Sequence, residues 1–277
     1  VGYGTLESQN FTTATDSFNT AVGFEAGHVI TTGVNNTILG AKAGDAFTDA
    51  DRNTALGRSA LTTDTLGSRS TAVGYGVLQN QNFTTATNVY NVAVGYDAGA
   101  SVTTGTQNTL IGALAGDAIT TGGQNVAVGY LALSLETTSS NNVAIGREAL
   151  KTSNGGSGNT AVGRTALAAN TTGDNNVGVG LSAGAAVTTG ESNTLIGGLA
   201  GDALTTSSNN VAVGTNALTA DTLGARSVAI GSATLANQNF TTATDTYNVA
   251  VGTLAGNAIT TGLQNTLVGG LAGDALT

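Results

Sequence analysis

A five-residue phrase returns through the whole chain at a nearly fixed interval. Asn19-Thr20-Ala21-Val22-Gly23 restarts at 36, 53, 70, 91, 108, 125, 142, 159, 176, 193, 210, 227, 248 and 265, a spacing of 17 residues broken only by 21-residue units at 70 and 227. A unit this short cannot bury an apolar face by itself and must stack on its neighbours, so the fold is restricted to a solenoid. Residues 1–277 therefore read as one repeat array without linker or second domain. The chain opens on Val1-Gly2, in the middle of a repeat, as an internal segment of a longer fibrous protein would.

The residues choose between helix and sheet. The chain has 41 Gly, no Pro, no Cys and only 9% charged residues. Helical solenoid units need two helices each, which Gly, Thr and Asn at this density oppose. Val, Ile and Thr favour strands. The expectation is an all-β parallel solenoid, a β-roll of about sixteen 17-residue coils, three of them with 21 residues counting the partial first one. At one strand spacing per coil this is a rod roughly 75 Å long.

Numbering the unit from its Asn, positions 1–4 read as a short strand, with a second strand around 7–12 and a Thr/Gly/Asn return turn. Position 5 is Gly throughout, including Gly23, Gly40, Gly95, Gly112 and Gly197, as a backbone geometry closed to side chains requires. Stacking would set the position-1 asparagines in a ladder. Position 4 is always Val, Ile or Leu, and strand alternation then assigns it to the coil interior. Position 3 points the other way, yet it is Ala in ten units, Gly178 in one, and Ile38, Leu110, Leu195 or Leu267 in the rest. A strand apolar on both faces is buried on both. Ile38, Leu110, Leu195 and Leu267 are therefore expected at an interface with another copy of the chain.

The pentads Asn-Val-Ala-Val-Gly (91–95, 125–129, 210–214) and Asn-Val-Ala-Ile-Gly (142–146) resemble the head repeat of YadA-like trimeric autotransporter adhesins. Asn-Thr-Ala-Val-Gly-x-x-Ala-Leu at 159–167 is similar also to repeats in phage tail-fibre shafts. The resemblance implies three chains packed around an axis, on a cell or virion surface, serving as a spacer and display surface that attaches to a host protein or glycan. The 17-residue coil is longer than the usual adhesin head repeat, so turn geometry does not carry over.

Chemistry is sparse. The net charge is −9 and the only lysines are Lys42 and Lys151, which argues against nucleic-acid partners. No apolar run reaches the ~18–20 residues of a membrane span. Without Cys there are no thiolate ligands, and His28, the single histidine, stands where sibling units hold Asp, Ala or Asn. No catalytic, cofactor or metal site is expected, and the Asp of Ala-Gly-Asp-Ala reads as a solvated turn residue rather than a calcium ligand. An ice-binding face would need unbroken Thr ranks, and the coil at 142–158 interrupts them. Tyr75, Tyr96 and Tyr130 share position 6 with several arginines and are candidate ligand contacts. The heptapeptide Gln-Asn-Phe-Thr-Thr-Ala-Thr at 9, 81 and 238 marks the long coils. Its Phe11, Phe83 and Phe240 are expected in the core slot of Ile30, Ile119 and Leu204, with two extra residues on either side.

Overall fold

The computed structural model describes residues 1–277, all-β and without helix, as a parallel β-solenoid of about fifteen turns. Contacts group the chain into two compact units, Val1–Ser140 and Asn141–Thr277. The first contains seven three-residue strands from Thr20–Val22 to Val126–Val128, and the second eight, from Val143–Ile145 to Thr266–Val268. Within each unit successive strands pair in parallel, 17 residues out of step. Leu110 lies opposite Ala127 and Leu195 opposite Ala212, while across a long coil Val73 meets Val94. The expected second strand is absent: positions 6–11 form turns. Two-residue strand pairs occur only in the return segment, where each long coil meets the coil before it: Gly67–Ser68 with Thr87–Asn88 and Gly224–Ala225 with Thr244–Asp245.

The position-5 glycines lie at positive φ. Gly112 has φ +133°, and a Cβ built on it would lie 2.6 Å from the carbonyl oxygen of Gly129 one coil on. Both the dihedral and the space are therefore closed to any other residue. The asparagine ladder also forms, mainly through the backbone. Asn108 Oδ1 accepts the main-chain N–H of Asn125 at 3.0 Å, and Asn108 Nδ2 donates to the Gly122 carbonyl of its own coil at 3.0 Å. Each buried Asn thus closes one coil and clips the next, satisfying backbone groups that have no other partner inside.

The inside and outside of the strand are the reverse of the sequence expectation. Position 3 points into the coil: Ile38, Leu110 and Leu195 are fully buried within their own chain, and Leu267, in the last coil, is partly covered. These four are core residues, not an interface. Position 4 points outward, with Leu39, Ile111, Ile145, Ile196 and Ile230 each about two-fifths exposed (48, 39, 39, 38 and 38%).

Position 9 explains the four large residues. It lies in the left-handed region in every full coil, occupied either by Gly, as at Gly99 (φ +60°), or by Leu, as at Leu133 (φ +54°). Leu there accepts a strain of roughly 1–2 kcal/mol in return for filling the core. Gly leaves a hole. A Cβ on Gly99 would come within 2.7 Å of Leu110, and one on Gly116 within 2.7 Å of the same side chain. Leu195 stands likewise between Gly184 and Gly201. Position 3 is large only where its own coil and the preceding one both carry Gly at position 9, which holds for Ile38, Leu110, Leu195 and Leu267 alone. Where Leu167 precedes, position 3 shrinks to Gly178, whose Cβ would meet Leu167 Cγ at 2.7 Å.

Candidate interaction surfaces

Position 12 follows the same rule. Coils with Gly at 9 place an apolar residue there, such as Ile119 or Leu204, and coils with Leu at 9 place a polar one: Asp64, Gln81, Glu136, Ser153, Asn170, Asp221 or Gln238. All of these polar residues are buried. Asp64, Glu136, Asn170 and Asp221 bond to the return turn. Glu136 Oε1 accepts the N–H groups of Thr137, Thr138 and Ser139 at 2.8, 3.0 and 2.7 Å.

The heptapeptide is part of this pattern. Gln81, not Phe83, occupies the position-12 slot. Gln81 Nε2 donates to Asp64 Oδ2 of the coil below at 2.5 Å and to Ser70 Oγ at 3.2 Å, and its Oε1 accepts from Asn91 Nδ2 at 2.9 Å. This accounts for the serine that replaces Asn at position 1 of the long coils, because the glutamine amide uses the space. Gln238 repeats the arrangement with Asp221, Ser227 and Asn248. Burial pushes the Asp64 carboxyl above the ordinary range, against the hydrogen bonds from Gln81, Phe83 and Gly67 that favour its charged form. Phe83 and Phe240 are buried as expected, each 7% exposed, but the extra residues lie after the glutamine. The offset to the coil below is 17 residues at Gln81 and 20 at Thr87. Arg69 then covers the Tyr90 ring at 5.7 Å, and Arg226 covers Tyr247 at 5.9 Å, at the outer edge of each widened coil.

The turn carboxylates are less solvated than the sequence suggests. Asp45 and Asp202 each accept a threonine hydroxyl from the next coil at 2.6 Å, from Thr62 and Thr219. Asp117 Oδ1 is buried without a partner, and desolvation raises its pKa. No three His, Cys, Asp or Glu side chains cluster as a metal site would need. His28 is half-buried, with Nδ1 3.1 Å from the Gly4 carbonyl oxygen and 3.5 Å from Glu7 Oε2.

Two surfaces remain with unpartnered apolar area. One is the outward sheet face, bearing Thr or Val at position 2 and Val, Ile or Leu at position 4 on every coil. The other is the position-6 edge of the first unit. Tyr3 stacks on Phe24 at 5.7 Å, and Arg58, Tyr75 and Tyr96 form a pile with the guanidinium 5.6 Å from the Tyr75 ring and the tyrosine centroids 5.5 Å apart. Tyr75, Tyr96 and Tyr130 are all exposed. Tyr96 is pushed above its ordinary pKa by its hydrogen bond to the Asp97 carboxylate. No family model matches the chain, and no curated protein is similar to it. No helix is long and apolar enough to cross a membrane.

Proposed function

We propose that this chain is a segment of an extracellular fibre, an adhesin head or stalk, that self-associates along its outward sheet face and holds an attachment surface away from a cell or virion. Its role is structural display and attachment, without catalysis. The observation that carries this reading is the position-4 column. A solvent-facing strand position would alternate to polar residues, yet Val, Ile or Leu stands there in every coil. In the second unit, positions 2 and 4 of eight strands carry mostly apolar residues on the outward face, with Ile145, Ile196 and Ile230 exposed. The seam that sequence reasoning placed at position 3 thus moves to positions 2 and 4. Three copies around an axis is the arrangement that the adhesin-like repeats support.

Light scattering on the folded chain tests this, with a homotrimer as the expected mass. Ile196→Asp with Ile230→Asp should give a folded monomer. Both sites are part-exposed in the single chain, so a charge is tolerated there, whereas in a closed seam it would be buried and unpaired. A folded, monodisperse monomer of the unmodified chain would refute self-association. Thermal hysteresis in that monomer would reassign the flat Thr/Val/Ile face to ice.

A further inference from the structure

The return segment carries a second ladder, at position 16. There a main-chain N–H donates to an oxygen on the position-16 side chain one coil on. Val34 donates to Asp51 Oδ1 at 2.8 Å, and Asp51 to Ser68 Oγ at 2.9 Å. Gly123 donates to Ser140 Oγ at 3.1 Å, Ser157 to Asp174 Oδ1 at 2.7 Å, and Glu191 to Ser208 Oγ at 2.9 Å. The rung after Glu191 differs. Ser208 is followed one coil on by Ala225, whose methyl group accepts no hydrogen bond. At this rung the second unit has an open groove of about 460 Å³. It is lined by Ser208 and Asn209, by Ala225 and Arg226 one coil on, and by Thr244 and Asp245 of the long coil. The first unit has the same step into a long coil, with different residues: Ser68 stands in place of Ala225, and Asp49 and Asp51 in place of Thr206 and Ser208.

We infer that this groove is a binding site for an acidic sugar, held by its carboxylate. The donors select the charge. A ligand oxygen that accepts the Ser208 N–H takes the part that the Asp51 and Asp174 carboxylates play at the equivalent rungs. Arg226 lines the same groove. Its Nε pairs with Asp245 Oδ1 at 3.0 Å, which leaves the two Nη groups of the fork for a second carboxylate. The remaining lining selects the sugar. Thr206, Asn209 and Thr244 offer hydroxyl and amide partners, Asp245 accepts from hydroxyls, and Leu223 gives ring C–H groups an apolar contact. A volume of about 460 Å³ is that of a small-molecule site and exceeds what an acetate-sized anion fills. The first unit supplies a contrast within the chain. Ser68 Oγ already accepts the Asp51 N–H there, and the carboxylates of Asp49 and Asp51 repel an anion.

The site names a ligand class for the attachment part of the proposed function and rests on that reading for its biological meaning, not for its chemistry. An amide NMR titration of the whole chain with sodium D-glucuronate tests it, with methyl β-D-glucopyranoside and sodium acetate as comparators. Glucuronate should shift the Ser208 amide resonance saturably and leave that of Asp51 in place. Each comparator should bind about tenfold more weakly, because one lacks the charge and the other the hydroxyls. Ala225→Ser restores the rung that Ser68 and Ser140 form, so this variant folds, and it should weaken glucuronate about tenfold. Arg226→Gln should weaken it by at least as much. No saturable shift at Ser208, equal binding of either comparator, or unchanged binding in Ala225→Ser would each overturn the site. Light scattering on the same samples reads self-association independently, so failure of the site and failure of the fibre reading are told apart.

Discussion

Replacing Leu110 by Ala tests the reversal of inside and outside directly. Leu110 is fully buried, and its two methyl groups fill the space over Gly99 and Gly116. Neither glycine has a side chain that could relax into the cavity, and the coil backbone is held on both sides by the ladder. Core Leu→Ala changes cost about 2.7–5 kcal/mol depending on how far the site collapses. With no collapse available, the upper half of that range, about 4–5 kcal/mol, is expected for Leu110→Ala, read from urea unfolding followed by circular dichroism. Gly116→Leu alone should also destabilise, because its Cβ would stand 2.7 Å from Leu110 Cδ2. Together the two changes recreate the pairing of Ala127 with Leu133 in the next coil and should recover at least half the loss. Such non-additivity is expected only of side chains in direct contact. If Leu110→Ala instead keeps the stability of the parent but changes its oligomeric state, Leu110 faces another chain and the assignment of position 3 to the core is wrong.

Other outcomes follow from the same geometry. Phe83→Ala should cost roughly 3–5 kcal/mol in the same unfolding assay, and an unchanged midpoint would show that the widened coil does not depend on that ring. Gly112→Ala should disrupt its coil, since both φ and the neighbouring carbonyl exclude a Cβ, whereas Gly198→Ala, with nothing within 4 Å of the added carbon, should be neutral to within about 0.5 kcal/mol. Asp64 has a folded-state pKa raised by burial, so the folded chain binds this proton more tightly than the unfolded one. Its contribution to stability is therefore most favourable at acid pH and declines as pH rises from the ordinary carboxylate value through the higher folded one. A carboxyl NMR titration of Asp64 with a midpoint at or below the ordinary range would contradict this.

The repeat length, the β-class, the turn glycines and the asparagine ladder were legible because each depends on a residue that hardly varies from coil to coil. The direction of the strand was not. Alternation gives parity only, and it assigns a direction when one face is polar. Here position 3 is Ala or Leu and position 4 is Val, Ile or Leu, so the three-residue strand looks buried from both sides. The deciding signal was covariation between coils. Ile38, Leu110, Leu195 and Leu267 occur only between two consecutive position-9 glycines, and size compensation between positions 3 and 9 of stacked coils requires both to line the same cavity. The large residues at position 3 and the glycines at position 9 record packing along one chain, not contact between chains. The slot of Phe83 was misplaced for a related reason. Placing Phe83 in the slot of Ile119 ignores the rule that Leu at position 9 demands a polar partner at 12, which Leu78 and Gln81 obey.

The same rule bears on the outer face. Positions 3, 9 and 12 exchange volume and polarity with one another, so the interior tolerates variation as long as the sum is conserved. Position 4 has no partner within the chain with which to exchange, and its neighbours along the column are Val, Ile or Leu in register. Under the proposed self-association, this column is held apolar in each unit by contact outside the coil. A second copy of the same chain meets that constraint at every level of the stack, because it brings the same repeat at the same spacing. Two stacks with a common 17-residue period stay in register along their length, whereas a partner without that period would match at one coil and miss at the next. The periodicity that makes the solenoid thus also favours self-association over binding an unrelated protein on this face, and it leaves the steps at the long coils, which break the period, as the places suited to a foreign ligand.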